Sequence, residues 1–338
     1  MKIKYFPCQP HCFAFGGFDM QMINALGSVR KNGIDASKLD SWSRDSDFDI
    51  IHLWGIGPHN YQIIDWSKKS GKLIIATVLL PYFGTLKSEI GNLYRQYFSN
   101  SFKTQINYYK KIDRIVVLNN VQADVLYKYY KVPYSKIDII PNIVENKYFE
   151  TINTDFGQKY DIKNYVLCTG NISARKNQLN LALACVNLNV NLVLIGNVLD
   201  GEEIYAAKLE SLVNANDNIL WIRELPKASD DLVAAYKSCR VFALASLDET
   251  QPISALEAVA MNKPLVLLDK KYAYQTYYNG AILCKSPTVK DIEIALHMQF
   301  EQNLDIKVNS DIIQCKEDSV GKAYCKSYSK LNSGSIEF

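Results

Sequence analysis

The feature that most constrains this chain is a rhythm that runs, stops and restarts. Short β-branched runs alternate with helical periodicity from Lys2 onward, and the alternation resumes after a polar, weakly periodic stretch at Glu145–Lys163. The first series predicts strands at Lys2–Phe6, Phe48–Trp54, Lys72–Leu79, Arg114–Asn119 and Ile137–Pro141, with a short one near Ile34–Leu39. Helices are expected near 17–32, 58–69, 86–111 and 120–131. The second series predicts strands at Tyr165–Gly170, Asn191–Gly196, Ile219–Arg223, Arg240–Ser246, Pro264–Asp269 and Ala281–Cys284, with helices near 177–188, 202–214, 229–238, 253–262 and 288–301. Apolar strands joined by helices mark parallel sheets covered on both faces. A closed barrel would give eight even units without a restart. The pattern therefore predicts an α/β chain of two Rossmann-like domains facing a central cleft, at 1–150 and 151–316. A helical tail at 317–338 has the N-terminal domain as its candidate packing partner. Ligands of open parallel sheets lie beyond the carboxyl ends of the strands, so chemistry is expected in the loops that follow them.

Composition agrees and excludes other classes. The 338 residues are 48% apolar, enough for two cores, at about 100–200 residues per domain. Lys and Arg number 38 against 35 Asp and Glu, which argues against a nucleic-acid partner, since neutralising phosphates takes a concentrated basic surplus. No apolar run approaches the roughly 18 residues of a membrane span. The N-terminal apolar run is broken by Pro7, Gln9, Pro10 and His11, unlike a signal peptide. A cytoplasmic location is expected. Of the eight cysteines, Cys168 and Cys284 lie in apolar runs and read as small buried hydrophobes. Cys8-Gln9-Pro10-His11-Cys12 has no second ligand group at a recognisable spacing, so it reads as a loop with incidental thiols.

The most informative segment is ALASLDETQPISALEAVAMNKPLVLLD, residues 243–269. A strand ends at Ser246, Glu249 follows in the loop, and Glu257 lies in the first turn of the next helix. Two carboxylates placed this way can face one ligand, with helix-start amides forming an anion site between them. Ser254-Ala255-Leu256-Glu257 also has the form of a capping box, in which Glu257 bonds the Ser254 backbone. The residues alone leave both readings open.

Glu-x7-Glu followed by Ala-x-Ala and Lys-Pro-Leu-Val resembles the C-terminal motif of retaining GT-B glycosyltransferases of the family 4 type. Three further segments fit in order: Gly170–Gln178 resembles the family's strand–Gly–loop–Lys–Asn segment, Ile139–Phe149 its linker, and Gly16–Gly33 its Gly-Gly loop and first acceptor-domain helix. The resemblance implies a GT-B fold and transfer of a sugar from a nucleotide-diphospho-sugar, UDP- or GDP-sugar favoured, without metal or other cofactor. It implies a saccharide or polyprenyl-linked acceptor and a place in cell-surface polysaccharide or glycoconjugate synthesis. Residue by residue, it implies that Glu249 sits beside the transferred sugar, Glu257 accepts from the ribose hydroxyls, and Lys176 aided by Arg175 neutralises the leaving diphosphate. Gly170, Asn171 and the amides of Gln251, Pro252, Ile253 and Ser254 would contact phosphate or sugar. Gly16 and Gly17 would let backbone approach the donor, and the Trp221–Leu225 segment, with Arg223 and Leu225, would cradle the base. Three departures stand out: Asn171 occupies the usual Arg position, Ile143 replaces the linker glycine, and Thr77–Pro81 contains no His. His52, one strand earlier, is the candidate substitute, and a structural histidine is the alternative.

The Asp45-Ser46-Asp47-Phe48-Asp49 run precedes a strand and reads as a solvated turn. Gly55-Ile56-Gly57 lacks the remainder of a dinucleotide fingerprint. Between Thr85 and Lys136, nine Lys and Arg face three acidic residues and are interleaved with tyrosines and phenylalanines. This surface is a candidate seat on anionic lipid at the inner face of the membrane. The rival functions are a non-catalytic sugar-nucleotide or glycan-binding protein of the same fold and a sugar-nucleotide epimerase.

Overall fold

A computed structural model describes residues 1–12, 16–80, 91, 99–151, 153–301 and 309–333. It divides into two compact units, one of residues Met1–Ile143 with Gln314–Phe338, the other of Val144–Ile313. The division falls after Ile143, so the linker residues that follow belong to the second unit.

The first unit carries a parallel sheet of order β2-β1-β3-β4-β5-β6, made of β1 (Lys2–Phe6), β2 (Asp35–Lys38), β3 (Ile50–Trp54), β4 (Leu73–Thr77), β5 (Arg114–Val117) and β6 (Ile137–Ile139). Alternation along β3 sorts its side chains between two faces. Ile51 and Leu53 join Ile74, Ala76, Ile115 and Val117 in a core shared with α2 (Tyr61–Lys69), α3 (Asn100–Lys111) and α4 (Asn120–Tyr130). Ile50 and Trp54 turn the other way, into a core with Met22, Ala25, Leu26 and Val29 of α1 (Gly17–Lys31). The expected helix at 86–111 is seen from Asn100; of its earlier residues, all but Gly91 and Ser99 lie outside the described residues.

The C-terminal helix, to be called α11 (Glu317–Ser333), closes this second core with Val320, Tyr324, Tyr328 and Leu331. It can approach α1 because residue 321 is glycine: a Cβ there would meet Ser28 Oγ at 2.1 Å. Its charged edge is tied to Asp138 of β6, which receives Arg114 at 2.6 Å, Ser327 Oγ at 2.6 Å and Lys330 at 2.6 Å. Burial pushes the Asp138 carboxyl up, yet these partners outweigh it and hold it down to about 2.

In the second unit the sheet order is β12-β11-β10-β7-β8-β9. Its strands are β7 (Tyr165–Thr169), β8 (Asn191–Ile195), β9 (Ile219–Ile222), β10 (Val241–Leu244), β11 (Leu265–Leu268) and β12 (Ile282–Cys284). Read within the unit this is the Rossmann order, whose connections reverse between β7 and β10. All six strands pair in parallel. The intervening helices are α5 (Phe156–Tyr160), α6 (Gln178–Asn187), α7 (Glu203–Asn214), α8 (Asp230–Ser238), α9 (Ile253–Ala260) and α10 (Val289–Glu301). Helix α8 shows why such a segment starts where it does: Ser229 accepts from the Leu232 amide at 3.2 Å, and Asp230 and Asp231 complement the helix dipole.

Candidate active site

The reversal point of the second sheet places two loops side by side, one after β7 and one after β10. The loop after β7 opens at Gly170, whose φ of 130° few side-chain-bearing residues adopt. Gln178 then pins the loop at both ends, accepting from Ser173 N at 3.3 Å and donating to Asn171 O at 2.9 Å. Glu202 accepts from Ala174 N at 3.1 Å. The two loops are joined by Leu247 N donating to Arg175 O at 2.8 Å and Ser246 Oγ donating to the same oxygen at 3.3 Å.

This scaffold brings three charged side chains together. Lys176 Nζ lies 2.6 Å from Glu249 Oε1, and Arg175 Nη1 lies 3.1 Å from the same oxygen. Arg175 also donates to the Asp248 carbonyl. Burial pushes the Glu249 carboxyl up, but Lys176 and then Arg175 outweigh it and hold the group below its ordinary range. Two cations on one carboxylate leave a local positive surplus, the arrangement that receives a polyanion such as a diphosphate. Asn171, in the same loop, is exposed and neutral.

Glu257 sits differently from the capping-box reading. Helix α9 begins after Pro252, so Ser254 is already inside it. Glu257 is instead buried, with Tyr236 Oη of α8 donating to its Oε2 at 2.7 Å. Burial raises this carboxyl to about 7, against the lowering by the Tyr236 hydrogen bond and Lys227. Of the expected amide donors, Pro252 has no N–H; its carbonyl accepts from Ala255 and Leu256, both at 3.2 Å. Gln251 is buried and donates to Gln275 Oε1 at 2.8 Å. Ile253 and Ser254 occupy the first helical turn, where amides lack an intrahelical acceptor.

Other expected residues are placed elsewhere. Arg223 is exposed, stacks on Trp221 at 3.5 Å from the ring centroid, and pairs with Glu210 of α7. Leu225 is half-buried nearby in sequence. Gly16 and Gly17 lie in the first unit; Gly16 N donates to Asp19 at 2.9 Å, and a Cβ on Gly16 would meet nothing within 4 Å. His52 is a correction. It is 0% exposed, its Nδ1 is 2.8 Å from Tyr328 Oη and its Nε2 2.8 Å from Thr77 Oγ1. Burial depresses its basicity to about 3. Lying on the Ile50–Trp54 face of β3, it points at α11, and both nitrogens are occupied, so it is a structural histidine rather than a group at the anomeric centre.

The basic and aromatic surface is also partly corrected. Tyr109, Tyr129 and Tyr130 belong to the core. Arg114 is paired with Asp138, Lys111 with Asp65, and Asp113 with Lys68. Lys87, Glu89, Tyr94, Arg95, Tyr97 and Phe98 lie outside the described residues. At Ile143, where the linker glycine is usual, Gln21 brackets the backbone, accepting from Ile143 N at 2.8 Å and donating to its carbonyl at 3.2 Å.

Two contributors carry weaker sequence signals. Gly196 ends β8 against Gly170, where a Cβ would lie 2.1 Å from the Gly170 carbonyl oxygen; a glycine directly after a strand is its only mark. Tyr236 shows only as a large polar-tipped residue on the apolar face of a helix. Among the described residues no group of three or more His, Cys, Asp or Glu is arranged to hold a metal ion. No described helix is long and apolar enough to cross a membrane.

Comparison with known families adds the deciding observation. Residues 20–147 match the Glycosyltransferase Family 4 model, and residues 150–306 match Glycosyl transferases group 1. The chain belongs to the GT-B glycosyltransferases of this type. The chain is 26% identical over 195 residues to the O-antigen chain mannosyltransferase RfbU of Salmonella typhimurium, covering 55% of this chain and 51% of the relative. It is 28% identical over 148 residues to an N,N'-diacetylbacillosaminyl-diphospho-undecaprenol alpha-1,3-N-acetylgalactosaminyltransferase of Campylobacter jejuni, covering 42% and 37%. The matches thus span about half or less of these relatives' lengths. Among solved structures, Anabaena HepE in complex with UDP shares this chain's fold, with a TM-score of 0.73 at 13% identity, covering 98% of this chain and 100% of that one.

Proposed function

We propose that this glycosyltransferase moves a sugar, with retention of anomeric configuration, from a nucleotide-diphospho-sugar held by the second unit to a hydroxyl of an acceptor taken by the first. The observation that carries the reading is the convergence of Lys176 and Arg175 on Glu249 at the reversal point of the sheet. As the bond between the anomeric carbon and the diphosphate oxygen breaks, negative charge grows on the leaving group and positive charge on the sugar. Lys176 and Arg175 answer the first and Glu249 the second, so the chemistry asks for no metal. Arg175 also supplies the charge that Asn171 lacks. The amides of Ile253 and Ser254 are the α9 donors in this reading, and Glu257 receives the ribose hydroxyls.

A UDP- or GDP-sugar is the favoured donor. The curated relatives are named for an O-antigen chain and a diphospho-undecaprenol substrate, which supports a saccharide or polyprenyl-linked acceptor. Lys103, Lys110, Lys128, Lys131 and the exposed Tyr127–Tyr134 stack are among the described groups that an anionic lipid surface would meet; co-sedimentation with phosphatidylglycerol vesicles tests that part separately. The donor is tested by thermal unfolding with UDP, GDP and ADP in EDTA, because a ligand of the native state raises its apparent stability. One nucleotide is expected to raise Tm; a chain stabilised by none of them contradicts the reading. Cleavage of the nucleotide sugar separates this function from a binding protein, and dependence on acceptor separates it from an epimerase.

A further inference from the structure

Glu257 can select ribose hydroxyls only if its carboxylate is held, and the side chain holding it is Tyr236. Tyr236 is fully buried in α8, stacked on Phe242 at 5.6 Å between ring centroids and edge-on to Tyr148 at 5.4 Å. Its hydroxyl lies 2.7 Å from Glu257 Oε2 and 2.5 Å from Thr169 Oγ1 at the end of β7. A phenol has one proton, so when Tyr236 donates to ionised Glu257 it can only accept from Thr169. The hydrogen-bond chain therefore runs from Thr169 through Tyr236 to Glu257. Oε2 is committed to the protein, and ligand hydroxyls are left to the remaining lone pairs of a carboxylate whose rotation is fixed.

We propose that Tyr236 is a positioning residue which, oriented by Thr169, sets the Glu257 carboxylate to prefer a nucleotide bearing a ribose diol over its deoxyribose counterpart. The proposal rests on the ribose-binding role of Glu257. It reaches beyond that role because Tyr236 is fully buried and belongs to a helix outside the motif. The groups facing the carboxyl are Tyr236, Tyr148, Glu145 and Lys227, the last two themselves paired at 2.8 Å. Of these, Tyr236 is the one that donates to Oε2 in the described structure.

The test is calorimetric titration of the full chain and its Tyr236→Phe, Thr169→Val and Glu257→Ala variants with UDP and GDP, then with the 2′-deoxy form of whichever binds. A hydrogen bond to a charged group contributes about 1.5–3 kcal/mol, or about 10- to 100-fold in affinity. The unaltered chain should prefer the ribonucleotide by at least about tenfold. Tyr236→Phe should lose most of that preference through weaker ribonucleotide binding, leaving deoxynucleotide affinity unchanged, and should regain part of it as pH is raised and Glu257 ionises. Thr169→Val should move the same way by less. A folded Tyr236→Phe that keeps the preference, while Glu257→Ala loses it, overturns the proposal and spares the role of Glu257. Glu257→Ala keeping the preference overturns both, as does failure of the unaltered chain to bind either nucleotide. Should Tyr236→Phe not fold, Thr169→Val decides, and an unchanged preference in it refutes the chain.

Discussion

Lys176 Nζ stands 2.6 Å from Glu249 Oε1, and the side chains retain only 14% and 11% exposure. Lys176 therefore helps to set the ionisation of Glu249. Removing the ammonium in Lys176→Met should raise the Glu249 carboxyl, since burial is then opposed only by Arg175 and the Ser246 hydroxyl. Because the native carboxyl is depressed, its contribution to stability is complete above its ordinary range and is lost as pH falls through the native value. The variant should accordingly be destabilised by about 2–4 kcal/mol at neutral pH, and the deficit should shrink in acid. Carbon-13 NMR of the Glu249 carboxyl with parallel denaturation curves checks both.

Glu257 behaves in the opposite sense. Its native carboxyl is raised from 4.5 to about 7, so the folded state binds the proton more tightly than the unfolded one. The group therefore costs stability as pH rises between those two values, by at most about 3 kcal/mol. Glu257→Gln should raise Tm more at pH 8 than at pH 5 while weakening nucleotide binding. The faces that share this response are Tyr236, Tyr148, Lys227 and Glu145. Scanning calorimetry across pH checks the sign.

His52→Ala should cost about 2–4 kcal/mol of stability, because it leaves a cavity and strands the Tyr328 and Thr77 hydroxyls. Transfer per folded molecule should be unchanged. A loss of turnover with stability intact would return His52 to the chemistry.

Asp138 links β5, β6 and α11. With its carboxyl held at about 2, its contribution is present above the ordinary carboxylate range and lost as pH falls toward that value, and amounts to about 2 kcal/mol. Asp138→Asn should lower stability by that order and speed proteolytic release of α11, read by mass spectrometry of timed digests.

The strands and the charged loop residues were legible because both obey local rules: strand alternation, and loops placed after strands. Lys176 and Glu249 meet because β7 and β10 are neighbours, which the order of a doubly wound sheet supplies. What was not legible depends on partners far apart in sequence. Tyr236 gains its meaning only when α8 sets it against Thr169 and Glu257. Gly196 gains its meaning only when β8 brings it onto Gly170. Ser254 and Glu257 carry capping-box spacing, but Pro252 is the N-cap, so the helix starts two residues too early for that motif to form. His52 could have been placed in the core by alternation along β3, since it shares a face with Ile50 and Trp54. The tyrosines between Thr85 and Lys136 looked like a surface because charge interrupts them, yet Tyr109, Tyr129 and Tyr130 fall on the inward stripes of α3 and α4.

The central claim is that Lys176 and Glu249 carry sugar transfer on a chain that needs no metal. The direct measurement is release of nucleoside diphosphate from UDP- and GDP-sugars, in EDTA and with a saccharide or polyprenyl-linked acceptor, by the full chain and by Lys176→Ala and Glu249→Ala. The account predicts acceptor-dependent release by the unaltered chain and a fall of at least about 100-fold in each variant, with folding preserved. Near-unaltered turnover in either variant, or activity that EDTA abolishes, would contradict it.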